Sequence, residues 1–231
     1  MVKKNFSEFE RNIGVTFKNK DLLEQAFVHR SYLNEHKNFK LPHNERLEFL
    51  GDAVLELIVT DFLFYKYPTK TEGDLTSYRA ALVNTNTISE AGDEIGVDEY
   101  LLLSKGEAKD TGRARSYIVA NVFEALIGAI YLDQGYEPAR DFVARTLFAR
   151  TDEIVEKRLW QDPKSRFQEK AQDVVGITPA YKLLEERGPD HDKYFKIGVY
   201  LGKELIAEGK GKSKQEAEQD AAANGLRTKS W

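Results

Sequence analysis

A chain of 231 residues has room for one large domain or for a medium and a small one, each burying its own core. With 41% hydrophobic and 31% charged residues and no low-complexity tract it reads as an ordinary globular protein, and the lack of cysteine excludes disulfides, thiolate zinc sites and a cysteine nucleophile together. The formal charge of −4 hides an asymmetry: residues 1–158 carry 21 Lys plus Arg against 26 Asp plus Glu, residues 159–231 carry 13 against 12, so net charge neither demands nor forbids a polyanionic partner.

The N-terminus holds lysines with no apolar stretch behind them, and no uninterrupted apolar run approaches the roughly 18 residues of a membrane helix, which leads us to expect a cytoplasmic protein with no membrane partner. From residue 5 to about 157 the apolar spacing is helical, and no convincing strand is seen. Helices are expected over 21–32, 43–66, 73–96, 118–133 and 137–157, giving an all-α domain at 1–157. A linker is expected at 158–162, followed by a small α+β domain at 163–229 of order α-β-β-β-α. Its elements are a helix at 164–175, strands at 180–186, 194–201 and 204–209 with a Gly202-Lys203 turn, and a last helix opened by the capping-box pattern Ser213-Lys214-Gln215-Glu216.

The run H-N-E-R-L-E-F-L-G-D-A-V-L-E-L from His43 is the most informative stretch. On a wheel of about 100° per residue with Glu45 at zero, Glu48 falls near −60° and Asp52 near −20°, while Leu47, Leu50, Val54, Leu57 and Ile58 gather around 170°. This sets the carboxylates opposite an apolar stripe. Phe49 falls near +40°, off that stripe, where an aromatic ring suits a second protein surface. A second run, I-V-A-N-V-F-E-A-L-I-G-A-I-Y-L from Ile118, is apolar all round, with Glu124 as its single carboxylate and Asn121 a turn before it. A lone carboxylate in such a helix calls for a compensating cation or donors. Oxygen ligands from two helices, Glu48 and Asp52 with Asn121 and Glu124, suit Mg²⁺ or Mn²⁺ and phosphoryl chemistry. In the tail, Gly209 to Glu216 reads G-K-G-K-S-K-Q-E, and a capped helix start with Lys210, Lys212 and Lys214 around it suits a phosphate.

These segments together resemble the ribonuclease III family: N-E-R-L-E-F-L-G-D runs unbroken from Asn44 to Asp52, with A-F-V-H-R-S-Y-L-N-E-H at Ala26, E-G-D-L-T at Glu72, R-A-A-L-V-N at Arg79 and F-E-A-L-I-G-A-I-Y-L-D at Phe123 in order. The resemblance implies a Mg²⁺-dependent endoribonuclease that cuts double-stranded RNA to 5′-phosphate and 3′-hydroxyl ends, acts as a homodimer and serves RNA processing, ribosomal precursors included. It carries the metal and catalytic roles to Glu48, Asp52 and Glu124, an accompanying acidic role to Glu45 and Glu72, and dimer contact to Phe49. Asn121 stands where the family usually has Asp, which removes one negative charge and raises a rival reading, a weakened nuclease that mainly binds duplex RNA. Residues 163–226 resemble the double-stranded RNA-binding domain, which assigns RNA contact to Gln168, Glu169 and His191 besides Lys210, Lys212, Ser213, Lys214 and Gln215.

Overall fold

The computed structural model describes residues 4–158, 160, 162–189 and 193–231. It divides into two compact units, Met1–Trp160 and Gln161–Trp231. The boundary falls inside the expected linker, and Trp160 belongs with the first unit, its indole edge-on to Tyr78 at 5.1 Å.

The first unit contains α1 (Phe6–Ile13), α2 (Lys20–Ala26), α3 (Arg30–Glu35), α4 (Glu45–Lys66), α5 (Glu72–Leu82), α6 (Thr85–Glu94), α7 (Val97–Tyr100), α8 (Arg113–Gln134), α9 (Tyr136–Leu147) and α10 (Thr151–Glu156). Three expected helices are split. The one at 21–32 breaks because Phe27 to His29 leave the helix to bond with Leu102: Leu102 N–H donates to Phe27 O at 3.0 Å and His29 N–H to Leu102 O at 3.1 Å. His29 then caps α3, its Nδ1 accepting from Ser31 N–H. The one at 73–96 breaks at Asn84, whose side chain accepts from Thr87 N–H and starts α6. The one at 137–157 is interrupted by a 3₁₀ turn at Phe148–Arg150. Helix α8 runs five residues further towards the N-terminus than expected, from Arg113, and α1 lay outside the expected set altogether.

Helix α8 is long and apolar enough to cross a membrane by length and composition alone, but most of it is buried within the helical unit, with Val119, Val122, Phe123, Leu126 and Ile130 fully enclosed. It is the central post, and α4 packs along it. The core side of α4 is Leu47, Gly51, Val54, Leu55, Ile58, Val59 and Leu63, which centres near −110° on the wheel at about 100° per residue. The apolar stripe around 170° is therefore corrected: the buried face is rotated towards Glu48, and Leu57 is 57% exposed instead of interior. The rotation has a cause at Gly51. A Cβ there would lie 1.7 Å from Glu124 O, and one at Gly128 would lie 2.3 Å from Leu47 O, so the two backbones touch only because both positions are glycine.

The second unit contains α11 (Pro163–Val175), β1 (Ala180–Arg187), β2 (Tyr194–Leu201), β3 (Glu204–Gly211) and α12 (Lys214–Lys229). Its antiparallel sheet has the order β1-β2-β3, with Gly202 at φ +62° in the tight β2–β3 turn. One sheet face buries Ile197, Val199, Leu201 and Ile206, and Phe167 of α11 with Ala221 and Leu226 of α12 completes the core. Pro163 stands in the first turn of α11, where Asp162 accepts from Ser165 N–H.

Candidate active site

The glycine crossing decides where the carboxylates stand. Because α8 meets α4 at Gly51, Glu48 and Asp52 flank the line of contact instead of lying opposite it, and Glu124 faces them from α8. Glu48 is half-buried and Asp52 exposed, while Asn121 and Glu124 are half-buried on α8. Glu124 is thus less enclosed than its all-apolar helix led us to expect.

The electrostatics join the three acids. Burial, then the negative charges of Asp52 and Glu48, push the Glu124 carboxyl up to about 8. Burial, then Glu45 and Asp52, raise that of Glu48. Such mutual repulsion is the signature of a site that a cation would relieve, and every donor in it is a hard oxygen. The donor chemistry therefore fits Mg²⁺ or Mn²⁺. The carboxylates face one another without converging: among the described residues no group of three His, Asp or Glu side chains comes close enough to hold an ion. The cluster also lies open on the surface. A cavity of about 1100 Å³ in the same unit is lined by Phe6, Tyr32, His36 and Leu101 to Leu103, and by none of these carboxylates.

Other expected residues are placed differently. Glu45, on the first turn of α4, is half-exposed and has Arg30 at 3.9 Å and His43 at 3.7 Å. Glu72 does not join it within one chain. Helix α5 is pinned to α4 by Arg79, to Glu56 at 2.8 Å and to Thr60 at 2.8 Å, while Glu72 stands at the other end of α5, seven residues earlier. Its carboxylate accepts from Thr76. Phe49 is 82% exposed, and Leu57 and Phe64 continue an uncovered apolar stripe from it along α4.

In the second unit Gln168 and Glu169 are exposed on α11. Lys210, Lys212, Lys214 and Gln215 are exposed around the start of α12, where Ser213 Oγ accepts from Glu216 N–H at 3.1 Å. The Glu216 carboxylate accepts from Lys212 N–H at 2.9 Å, one residue earlier than a standard capping box. His191 lies outside the described residues.

Reasoning from residue types missed Gly51 and Gly128 as parts of the site. The available signal was a glycine inside each of two otherwise strongly helical runs, which marks a close backbone approach.

Comparison with known proteins gives the same partition. The family model described as ribonuclease-III-like matches residues 19–151, and the double-stranded RNA binding motif matches 163–229. Ribonuclease 3 of Enterococcus faecalis is 44% identical over 222 residues, covering 96% of each chain, and that of Bdellovibrio bacteriovorus is 42% identical over 230 residues, covering 99% of this chain and 98% of its own. A solved nuclease domain of ribonuclease III from Campylobacter jejuni, described for flexibility in a region involved in dimer formation, superposes with a TM-score of 0.56 at 38% identity, covering 62% of this chain and 95% of that one. With a nuclease-type helical unit, an αβββα unit and near full-length relatives in agreement, the chain belongs to the ribonuclease III family.

Proposed function

We propose that this protein is a Mg²⁺-dependent endoribonuclease specific for double-stranded RNA, acting as a homodimer in cytoplasmic RNA processing, with ribosomal precursors among its substrates and 5′-phosphate and 3′-hydroxyl ends as products. The observation that carries this reading is the meeting of Glu48 and Asp52 with Glu124 across the α4–α8 crossing, in a chain that also bears a double-stranded RNA binding motif. Glu48, Asp52 and Glu124, with the amide oxygen of Asn121, would hold the cation. Mg²⁺, or Mn²⁺ in its place, would supply neutralisation of phosphate charge and a lowered pKa for water.

The chain's own groups do the rest. The open position of the cluster admits a polymer, and the exposed Lys210, Lys212 and Lys214 with the capped start of α12 offer phosphate contacts that follow duplex shape. The bare stripe from Phe49 along α4 supports pairing of two copies through this helix. A labelled long duplex incubated with and without Mg²⁺ tests the reading, with Asn121→Asp run alongside. We expect metal-dependent cutting by this chain and a lower Mg²⁺ requirement, by about tenfold, for the Asp variant. Binding without cutting by this chain, with robust cutting by the variant, would favour the weakened duplex-binding protein.

A further inference from the structure

Asn44 is of the residue class that ordinarily caps the helix it precedes, accepting from that helix's own first N–H groups. It does not do so. Its side chain makes no capping bond, its backbone is helical at φ −79° and ψ −12°, and it is 3% exposed. The Nδ2 amide instead crosses to the α2–α3 junction and donates to Ala26 O at 3.1 Å, while its backbone N–H donates to Val28 O at 2.9 Å. Its own carbonyl accepts from Leu47 N–H at 2.8 Å and Glu48 N–H at 2.9 Å. One buried residue thus ties the first turn of α4 to a segment that is itself tied, through Phe27 and His29, to Leu102.

The tie has a load to bear. The first turn of α4 carries Glu45 and Glu48, with Asp52 a turn further on, and these neighbouring carboxylates repel. The glycine contacts seat α4 on α8 at Leu47 and at Gly51, and the bonds of Asn44 hold the residues ahead of Leu47. The first N–H groups of α4 receive no side-chain cap from Asn44, which gives its side chain to Ala26 O instead. We propose that Asn44 is a positioning residue that straps the first turn of α4 to the α2–α3 junction and so holds Glu48 within reach of the cation shared with Asp52 and Glu124. This rests on the metal reading above and adds to it the residue that sets the geometry. A group that orients a ligand without touching the ion characteristically changes metal affinity about 10- to 100-fold.

The test uses the full chain and Mn²⁺ alone, titrated by electron paramagnetic resonance, with thermal melting and metal-free duplex RNA binding measured beside it. Asn44→Ser keeps a residue able to cap α4 and is too short to reach Ala26 O. We expect it to melt cooperatively, to bind duplex RNA as the parent does, and to bind Mn²⁺ about tenfold or more weakly. Gln25→Ala removes only the long 3.4 Å bond from Gln25 to His43 O and should leave Mn²⁺ affinity unchanged. Asn44→Asp gives a second measurement, of opposite sign for the two explanations: charge alone would tighten Mn²⁺, whereas losing the Nδ2 donor would weaken it. Weaker binding by the Ser and Asp variants supports the strap. Binding within twofold of the parent by the Ser variant, or tighter binding by the Asp variant, overturns it. A parent chain that binds no Mn²⁺ overturns the metal reading and the strap with it, which separates the two failures.

Discussion

The two units build their working surfaces in opposite ways. In the second, the exposed residues proposed to meet phosphate lie within Lys210 to Gln215, so one strand end and one helix start suffice to assemble them. In the first, Glu48 and Asp52 reach Glu124 from about 70 residues away in sequence, and only the contact of two glycine backbones brings them together. A local surface is weakened one contact at a time. A surface assembled at a distance can lose its chemistry with every reactive group intact.

The largest effect should follow removal of the shared charge. Glu124→Gln is expected to lower Mg²⁺-dependent cleavage by about 10³-fold or more, about 4 kcal/mol of transition-state stabilisation, in single-turnover kinetics. The same change should raise stability without metal. The folded carboxyl is pushed up to about 8, so the native state holds this proton more tightly than the unfolded chain does. The stability it contributes is full below about pH 4 and is lost as pH rises towards 8. In EDTA at pH 8 to 9 the Gln variant should be the more stable by about 2 kcal/mol, a figure discounted for the solvent that reaches the group, with the difference vanishing near pH 4 in denaturant titrations.

Next comes the crossing itself. Gly51→Ala places a methyl against Glu124 O, forcing α4 and α8 apart; a destabilisation of about 2 kcal/mol and a loss of about 10²-fold in cleavage are expected, although no charged group changes. Cleavage unaffected by Gly51→Ala would erase the contrast between the two units. A smaller effect is expected from Phe49→Glu, which should weaken self-association by about 10- to 100-fold in sedimentation equilibrium while leaving metal-free duplex binding unchanged. Smallest are the changes in the second unit. Ser213→Ala should cost about 1 kcal/mol, a few-fold in duplex affinity, and Lys210→Ala should reduce the salt slope of binding by roughly 0.7 to 0.9.

How much was legible beforehand follows the same division. Strand β2 was readable to the residue, since Phe195, Ile197, Val199 and Leu201 alternate inward and the pattern is local. The run from Asn44 to Asp52 was readable as a motif. The break at Phe27 to His29 was not, because the partner that pulls these residues out of the helix is Leu102. Nor was the turn of α4 about its axis, which placed Leu57 outside and Glu48 at the edge of the buried face. A helical wheel records which residues share a side, and the neighbouring helix decides which side is inward. Asn44 was visible as one letter of the motif, while its bond to Ala26 O runs between segments 18 residues apart.

The order of α4 and α8 along the chain bears on synthesis. Helix α8 has the length and apolarity of a segment that targeting machinery could mistake for an anchor. Its packing partner ends at Lys66, and α8 begins at Arg113, so at roughly 5–20 residues per second α4 leaves the ribosome a few seconds ahead. The most adhesive stretch of the protein therefore emerges last of the pair, into a chain that already carries the surface made to cover it.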